Sequence, residues 1–125
     1  MNQQQEKSAG SGEIYCCPPK RTECDIPVFS DDDVYNENYK KIAADHLASQ
    51  TQDMDNPFID NILWATMEES TRALIKHYVA SGGRILDVGV GLGRVISPLS
   101  QYVRHGIDIS LDYLKQTKDK GIAVA

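Results

Sequence analysis

The sequence predicts an α/β fold in which two N-terminal helices precede the first strands of a parallel β-sheet. Two long stretches with helical apolar spacing lie before residue 83. After them, short β-prone segments alternate with helical segments, which is typical of parallel strands joined by right-handed crossovers. A glycine-rich turn directly follows the first of these strands. Ligands of open α/β sheets bind at such turns, beyond the carboxyl ends of the strands.

The chain has 125 residues, which suits one small domain. Residues 1–30 are rich in Gln, Ser and Gly and then in Pro and Cys, without a sustained apolar period. We therefore predict a disordered or irregular N-terminal segment, in which only Ile26, Val28 and Phe29 pack on the domain. Residues 31–82 form a helical region, and residues 83–125 form the first part of the sheet domain.

The first helix is predicted to begin near the acidic residues 31–33 and to end around Ser49. Negative charge suits a helix N-terminus, where free amide groups and the helix dipole favour it. One face of this helix carries side chains at spacings of four, three and four residues, namely Tyr35, Tyr39, Ile42 and His46.

The second helix is predicted to begin at Asn56 and Pro57. Asn can cap a helix, and the missing N–H of Pro would have been unpaired at the first helical position anyway. Residues 82 and 83 are both glycine and end the helix, since glycine tolerates the left-handed backbone found there. An apolar stripe runs along the helix at Leu63, Met67, Leu74 and Tyr78.

Three strands are predicted, over residues 84–88, 103–109 and from 122 onward. A helix over about residues 92–102 is expected to connect the first two, with a distortion at Pro98, which cannot donate a backbone hydrogen bond. Ser110 is predicted to cap the next helix, and Gly121 to close it.

The turn after the first strand combines an acidic residue, Asp87, with glycines at positions 89, 91 and 93. Glycine lets the backbone turn sharply and approach a ligand closely, where a Cβ would collide. The following helix is expected to direct its N-terminal amides at a carboxylate or a phosphate. The spacing is neither the dinucleotide pattern G-x-G-x-x-G nor the phosphate loop G-x-x-x-x-G-K-[ST].

This Asp-x-Gly-x-Gly-x-Gly-Arg segment resembles the first motif of class I S-adenosylmethionine-dependent methyltransferases, and the likeness extends over about residues 84–125. The resemblance implies that Asp87 helps to hold the methionine amino end and that Asp108, at the end of the second strand, accepts both ribose hydroxyls. It implies that Ile109 packs against the adenine. The rest of the predicted S-adenosyl-L-methionine site is in the turn: Gly89, Val90, Gly91, Gly93 and Arg94.

The resemblance also implies a Rossmann-like parallel sheet of the class I methyltransferase type, here truncated after the first β-α-β-α units. In that family a seven-stranded sheet positions the methyl acceptor on loops after the fourth and later strands. The catalytic residues are therefore unknown, and we expect the chain to be the cofactor-binding half of a longer enzyme. Two alternatives stay open: a non-catalytic or partner-completed S-adenosylmethionine-binding module, and a nucleotide-binding Rossmann module that takes NAD.

Charge and hydropathy narrow the expected partners. The formal net charge of −5 argues against broad binding to nucleic acid, so a small molecule is the expected methyl acceptor. No apolar run approaches the roughly 20 residues of a membrane span, and the N-terminus lacks the apolar core of a signal peptide. We therefore expect a cytoplasmic protein in which Cys16, Cys17 and Cys24 are reduced and bind no metal.

Some aromatic and charged residues have two interpretations. Tyr35, Tyr39 and His46 could fold over the cofactor as a lid, although packing on the sheet is the favoured interpretation for each. Trp64 could line a substrate pocket, with packing again favoured. Arg94 could face the cofactor carboxylate or form an ion pair at the surface.

Overall fold

A computed structural model describes residues 15–31, 34–52 and 61–125. The elements in chain order are β1 (Arg21–Glu23), β2 (Ile26–Val28), α1 (Val34–Gln52), α2 (Asn61–Tyr78), β3 (Arg84–Val88), β4 (Val103–Ile107), α3 (Leu111–Lys118) and β5 (Ala123–Val124). The predicted start of the second helix at residues 56 and 57 lies outside the described residues.

The last three strands form one parallel sheet in the order β3-β4-β5. The register pairs Arg84 with Val103 and Val88 with Ile107. The predicted alternation of parallel strands and connections is therefore confirmed, and the architecture is an α/β unit compatible with part of a Rossmann-like fold. β4 ends two residues earlier than predicted, because the backbone turns at Asp108, whose carboxylate accepts the amide of Ser110 at 2.8 Å.

The segment between β3 and β4 contradicts the predicted helix over residues 92–102, because it forms successive turns instead. One helical bond runs from the Ser97 amide to the Gly93 carbonyl at 2.8 Å. The next residue, Pro98, cannot continue the ladder, since it has no N–H and its ring collides with the preceding turn of a helix. Beyond it the bonds tighten to three-residue turns, such as the one from Tyr102 to Leu99 at 3.1 Å.

Long basic side chains bind the carbonyls that an α-helix would have paired internally. The guanidinium of Arg104 on β4 donates to the carbonyl of Ser97 at 2.5 Å and to that of Gly121, after α3, at 3.2 Å. Lys120 donates to the carbonyl of Leu92. These bonds satisfy polar backbone groups that would otherwise be costly to leave unpaired near the core.

The irregular segment nevertheless supplies much of the hydrophobic core. Leu99 is 1% exposed and Ile96 is 2% exposed. Both belong to one buried cluster, to which the N-terminal hairpin and β5 also contribute. Its members are Ile26, Ile85, Val90, Ile96, Leu99, Tyr102, Leu114, Ile122 and Val124. The apolar content of residues 90–102 therefore reflects burial and not helix formation.

The N-terminal region departs from the irregular segment predicted for residues 1–30. Residues 21–28 form an antiparallel hairpin of β1 and β2, whose turn residues Cys24 and Asp25 have positive φ angles of 50° and 58°. Positive φ at both residues is typical of a two-residue hairpin loop, because this backbone matches the twist of the flanking strands. The predicted packing of Ile26 is confirmed, since this side chain is fully buried. Residues 1–14 lie outside the described part.

Both predicted helices are present, but most side chains of their predicted apolar faces are exposed. In α1, Ala43 is fully buried whereas Tyr35 and Ile42 are 58% and 55% exposed. In α2, the whole predicted stripe of Leu63, Met67, Leu74 and Tyr78 is more than half exposed. The small side chain of Ala43 is buried in α1 instead, and in α2 the long side chain of Arg72 reaches the Arg94 carbonyl.

The outer edge of β3 is open in the described part of the chain, since this strand pairs only with β4. Leu86 and Val88 on β3 are 56% and 73% exposed. Apolar side chains on an unpaired strand are a surface that folded proteins normally cover. Among the described residues, no helix is long and apolar enough to span a membrane.

Candidate ligand site at the carboxyl ends of the strands

Asp108 joins the two strand ends at which the sequence predicts a ligand. One carboxylate oxygen, Oδ2, accepts the Gly91 amide of the glycine turn at 2.8 Å, and the other, Oδ1, accepts the Ser110 amide at 2.8 Å. A carboxylate has about four acceptor positions, two on each oxygen. Each oxygen of Asp108 therefore retains a position for a further donor, such as a ribose hydroxyl.

The three glycines of the turn have different roles. All have positive φ angles, of 79° at Gly89, 50° at Gly91 and 69° at Gly93. A Cβ added to Gly89 or Gly91 would meet no protein atom within 4 Å, whereas one added to Gly93 would lie 3.0 Å from Ile122 and Thr117. The first two glycines therefore border open space that a ligand can occupy, and the third is required by packing.

The turn does not present a helix N-terminus, which contradicts the expectation that free helical amides face the ligand. The amides of Gly89 and Val90 both donate to the Ile107 carbonyl, at 2.8 and 3.0 Å, and that of Gly93 donates to Val90. With Gly91 bound to Asp108, these turn amides are all satisfied within the protein. The Val90 side chain is buried against Gly106, so only its backbone can contact a ligand.

Asp87 lies at the carboxyl end of β3, immediately before the turn. Burial raises the pKa of its carboxyl above the usual value, and the negative charge of Asp108 raises that pKa further. Two carboxylates in this relation repel each other, so the site favours a positively charged group. An amino group of a ligand would relieve both effects at Asp87.

We expect Asp87→Asn to raise the melting temperature of the ligand-free chain at pH 7. A raised pKa means that the folded state binds this proton more tightly than the unfolded state. The associated stability is therefore present at acid pH and is lost as the pH rises through the folded pKa. Removing the charge should restore this stability at neutral pH. It should have no effect at a pH where wild-type Asp87 is already protonated.

Thermal unfolding of both proteins between pH 3 and pH 8 measures this difference. Asp112→Asn is the matched control, because Asp112 forms an ion pair with Lys115 at 3.0 Å on the surface of α3 and its loss should give no gain. A melting temperature for Asp87→Asn below that of wild type at pH 7 would contradict the electrostatic account.

An apolar cavity of about 250 Å³ adjoins Asp108. The strand ends and α3 form one wall, which comprises Asp108, Ile109, Leu111, Leu114 and Ala125. Residues 27–30, which are the end of β2 and the two residues after it, form the other wall. Pockets for drug-sized ligands measure about 300–1,000 Å³. The cavity therefore has room for one ring system beside the carboxylate, with the rest of a larger ligand outside it.

Arg94 forms an ion pair within the protein, which is one of the two interpretations that its sequence position allows. Its Nε lies 2.9 Å from a carboxylate oxygen of Glu68 on α2, whose side chain is 16% exposed. Arg72 on the same helix donates to the Arg94 carbonyl at 3.4 Å. Arg94 thus joins α2 to the glycine turn through its Nε, while its side chain remains 57% exposed.

Aromatic residues of α1 lie close to the site. The His46 Nδ1 is 2.7 Å from the hydroxyl of Tyr113 on α3. Hydrogen bonding to Tyr35 raises the pKa of Tyr39, and the negative charge of Asp108 contributes to this shift. Burial raises the pKa of Tyr113, again with a contribution from Asp108. Helix α1 therefore packs against α3, the helix that follows Asp108.

Trp64 and the three cysteines are exposed and line no part of the cavity beside Asp108. Trp64 on α2 is 51% exposed. Cys16, Cys17 and Cys24 are exposed and unpaired as thiols. In the described ranges, no three His, Cys, Asp or Glu side chains come together as a metal site would require.

Sequence reasoning missed three contributors to the site: Tyr113, Thr117, and the wall formed by residues 27–30, of which it predicted only that Val28 and Phe29 pack on the domain. Thr117 on α3 is fully buried, and its hydroxyl donates to the Gly91 carbonyl at 2.7 Å. Its spacing of three residues from the buried Leu114 was a usable signal, since both then lie on the inward face of the helix.

The chain was compared with known proteins by sequence and by structure. No protein-family model matches it, and the comparisons with curated proteins and with solved structures gave no match either.

Proposed function

We propose that this chain binds S-adenosyl-L-methionine and forms the cofactor-binding part of a methyltransferase that acts on a small molecule. The observation that carries the proposal is the position of Asp108 between the glycine turn and an apolar cavity. A carboxylate with free acceptor positions beside a slot for one ring system suits a ribose joined to a purine base.

The remaining contacts follow from the same arrangement. Asp87 would hold the methionine amino group, since a cation relieves its repulsion with Asp108. The open space at Gly89 and Gly91 would take the chain between the ribose and the amino acid. Ile109, which is 40% exposed and lines the cavity, would pack against the adenine.

When bound, S-adenosylmethionine supplies an electrophilic methyl group on a positively charged sulfur. The residues of this chain would bind and orient that group, and fixed orientation of two reactants can account for a large part of a rate enhancement. The acidic net charge of −5 favours a small acceptor over nucleic acid.

The site is less suited to a dinucleotide. NAD-binding folds place the pyrophosphate at the N-terminus of the helix after the glycine turn. Here that segment forms turns, and the amides of Gly89, Val90, Gly91 and Gly93 are already bound within the protein.

A second candidate function is an S-adenosylmethionine-binding module completed by another polypeptide segment. The open edge of β3 with exposed Leu86 and Val88, together with the exposed apolar stripe of α2, favours it. Stable copurification with a polypeptide that protects β3 amides from hydrogen exchange would support this candidate.

Calorimetric titration with S-adenosylhomocysteine and with NAD tests the proposal. We expect S-adenosylhomocysteine to bind at least about tenfold more tightly than NAD, since only the former presents an amino group to Asp87 beside a ribose at Asp108. Circular dichroism confirms that the protein is folded in the same buffer. Tighter binding of NAD would contradict the proposal and favour a nucleotide-binding module.

A further inference from the structure

The side chain of Thr117 binds the backbone of Gly91, the middle glycine of the turn. Thr117 lies in the last half of α3, is fully buried, and donates its hydroxyl hydrogen to the Gly91 carbonyl at 2.7 Å. On the other side of the same residue, the Gly91 amide donates to Asp108 at 2.8 Å. Gly91 is therefore bound at both its amide and its carbonyl by side chains from outside the turn.

The Thr117 methyl group has a separate role. A Cβ added to Gly93 would lie 3.0 Å from this methyl, so the methyl packs over the third glycine. The hydroxyl and the methyl of one buried side chain thus bind different residues of the turn. No regular helix follows the turn, so no ladder of helical hydrogen bonds holds it in place. The contacts of Thr117 therefore restrain the turn more than they would at the start of a helix.

We propose that Thr117 is a positioning residue that presets the glycine turn, and with it Asp108, for ligand binding. Without the hydroxyl, the Gly91 carbonyl is left without this donor, and the Gly91–Leu92 peptide can rotate. That rotation changes the backbone angles at Gly91, so the preceding Val90–Gly91 peptide, whose amide binds Asp108, can shift as well. The carboxylate then has to be reoriented when a ligand binds, which lowers affinity. The effect on binding rests on the proposed function, whereas the effect on the turn does not.

Two substitutions separate the two contacts of Thr117. Thr117→Val keeps the shape and the methyl but removes the hydrogen-bond donor, and Thr117→Ser keeps the donor but removes the methyl. We expect Thr117→Val to bind S-adenosylhomocysteine about tenfold more weakly than wild type, the loss expected for one buried hydrogen bond. Thr117→Ser should bind within about threefold of wild type, although its melting temperature falls because the packing over Gly93 is lost.

Amide hydrogen exchange of the ligand-free protein tests the turn directly. In Thr117→Val, exchange at the Gly91 amide should accelerate about tenfold relative to the Val103 amide. The latter donates to the Gly83 carbonyl at 2.9 Å between strand ends and serves as the internal reference. A purely structural role would instead make affinity follow melting temperature in both variants.

The outcomes separate the two proposals. Unchanged Gly91 exchange in Thr117→Val, or failure of Thr117→Ser to retain affinity, would overturn the positioning role. If wild type binds no S-adenosylhomocysteine while Thr117→Val still accelerates Gly91 exchange, the restraint of the turn stands and the proposed function is overturned.

Discussion

Asp108→Asn is expected to weaken S-adenosylhomocysteine binding about 100-fold. Two hydroxyl hydrogen bonds to an ionised acceptor contribute about 1.5–3 kcal/mol each, and a tenfold change in affinity corresponds to about 1.4 kcal/mol. The amide of Asn has one acceptor oxygen where the carboxylate has two, and this oxygen is also needed by Gly91 or Ser110. Calorimetric titration of both proteins measures the loss.

Asp112→Asn provides the matched control for this substitution. Asp112 lies in the first turn of α3, four residues from Asp108, and pairs with Lys115 on the surface. An exposed ion pair contributes at most about 1 kcal/mol to stability, and we expect less than a threefold change in affinity. Asp108→Asn also loses a backbone contact, so circular dichroism and the melting temperature must show that it remains folded at the titration temperature.

The alternative for Asp108 is a structural role limited to its two backbone contacts. In that case Asp108→Asn would lower the melting temperature while the affinity stays within about threefold of wild type. That outcome would exclude the assignment of the ribose to Asp108. It would leave Asp87 and the cavity as the remaining support for the proposed function.

Leu99→Ala is expected to destabilise the 125-residue chain by about 2–5 kcal/mol, as large-to-small substitutions in a core do. Leu99 is 1% exposed and lies in the irregular segment between β3 and β4. Small domains have a total stability of only about 5–15 kcal/mol, so this single change should remove a large part of it. Urea denaturation followed by circular dichroism measures the difference.

Leu86→Ala makes the same chemical change at an exposed position. Leu86 is 56% exposed on the open edge of β3, and we expect a loss below about 1 kcal/mol. The comparison tests whether the turns after Gly93, and not the outer edge of β3, hold the core together. Equal losses at both leucines would contradict this description of the core.

The exposed apolar surfaces of the chain are separate from the cavity in which we propose that the cofactor binds. Neither the apolar edge of β3 nor the exposed stripe of α2 lines the cavity beside Asp108. The proposed binding of S-adenosylhomocysteine at the cavity would therefore not require that edge to be covered. Groups that do not contact the cofactor would then have to recognise the methyl acceptor.

The sequence by itself determined the features that depend on neighbouring residues. The three strands, the Ser110 cap with its bond from Tyr113, and the positive φ of Gly82 and Gly121 are all present. Each follows from local chemistry: β-branched runs favour strands, a serine oxygen accepts helical amides, and glycine tolerates left-handed backbone. The order of acid, glycine turn and second acid was predictable for the same reason.

Only the tertiary structure decided which faces are buried and which groups meet. The helix predicted after the turn fails because Pro98 interrupts its ladder while Arg104, six residues on, binds the carbonyl of Ser97 instead. Arg94 selects Glu68, 26 residues earlier in the chain, and Thr117 binds Gly91, 26 residues before it. Such contacts depend on how separate elements pack, and no periodicity within one element encodes them.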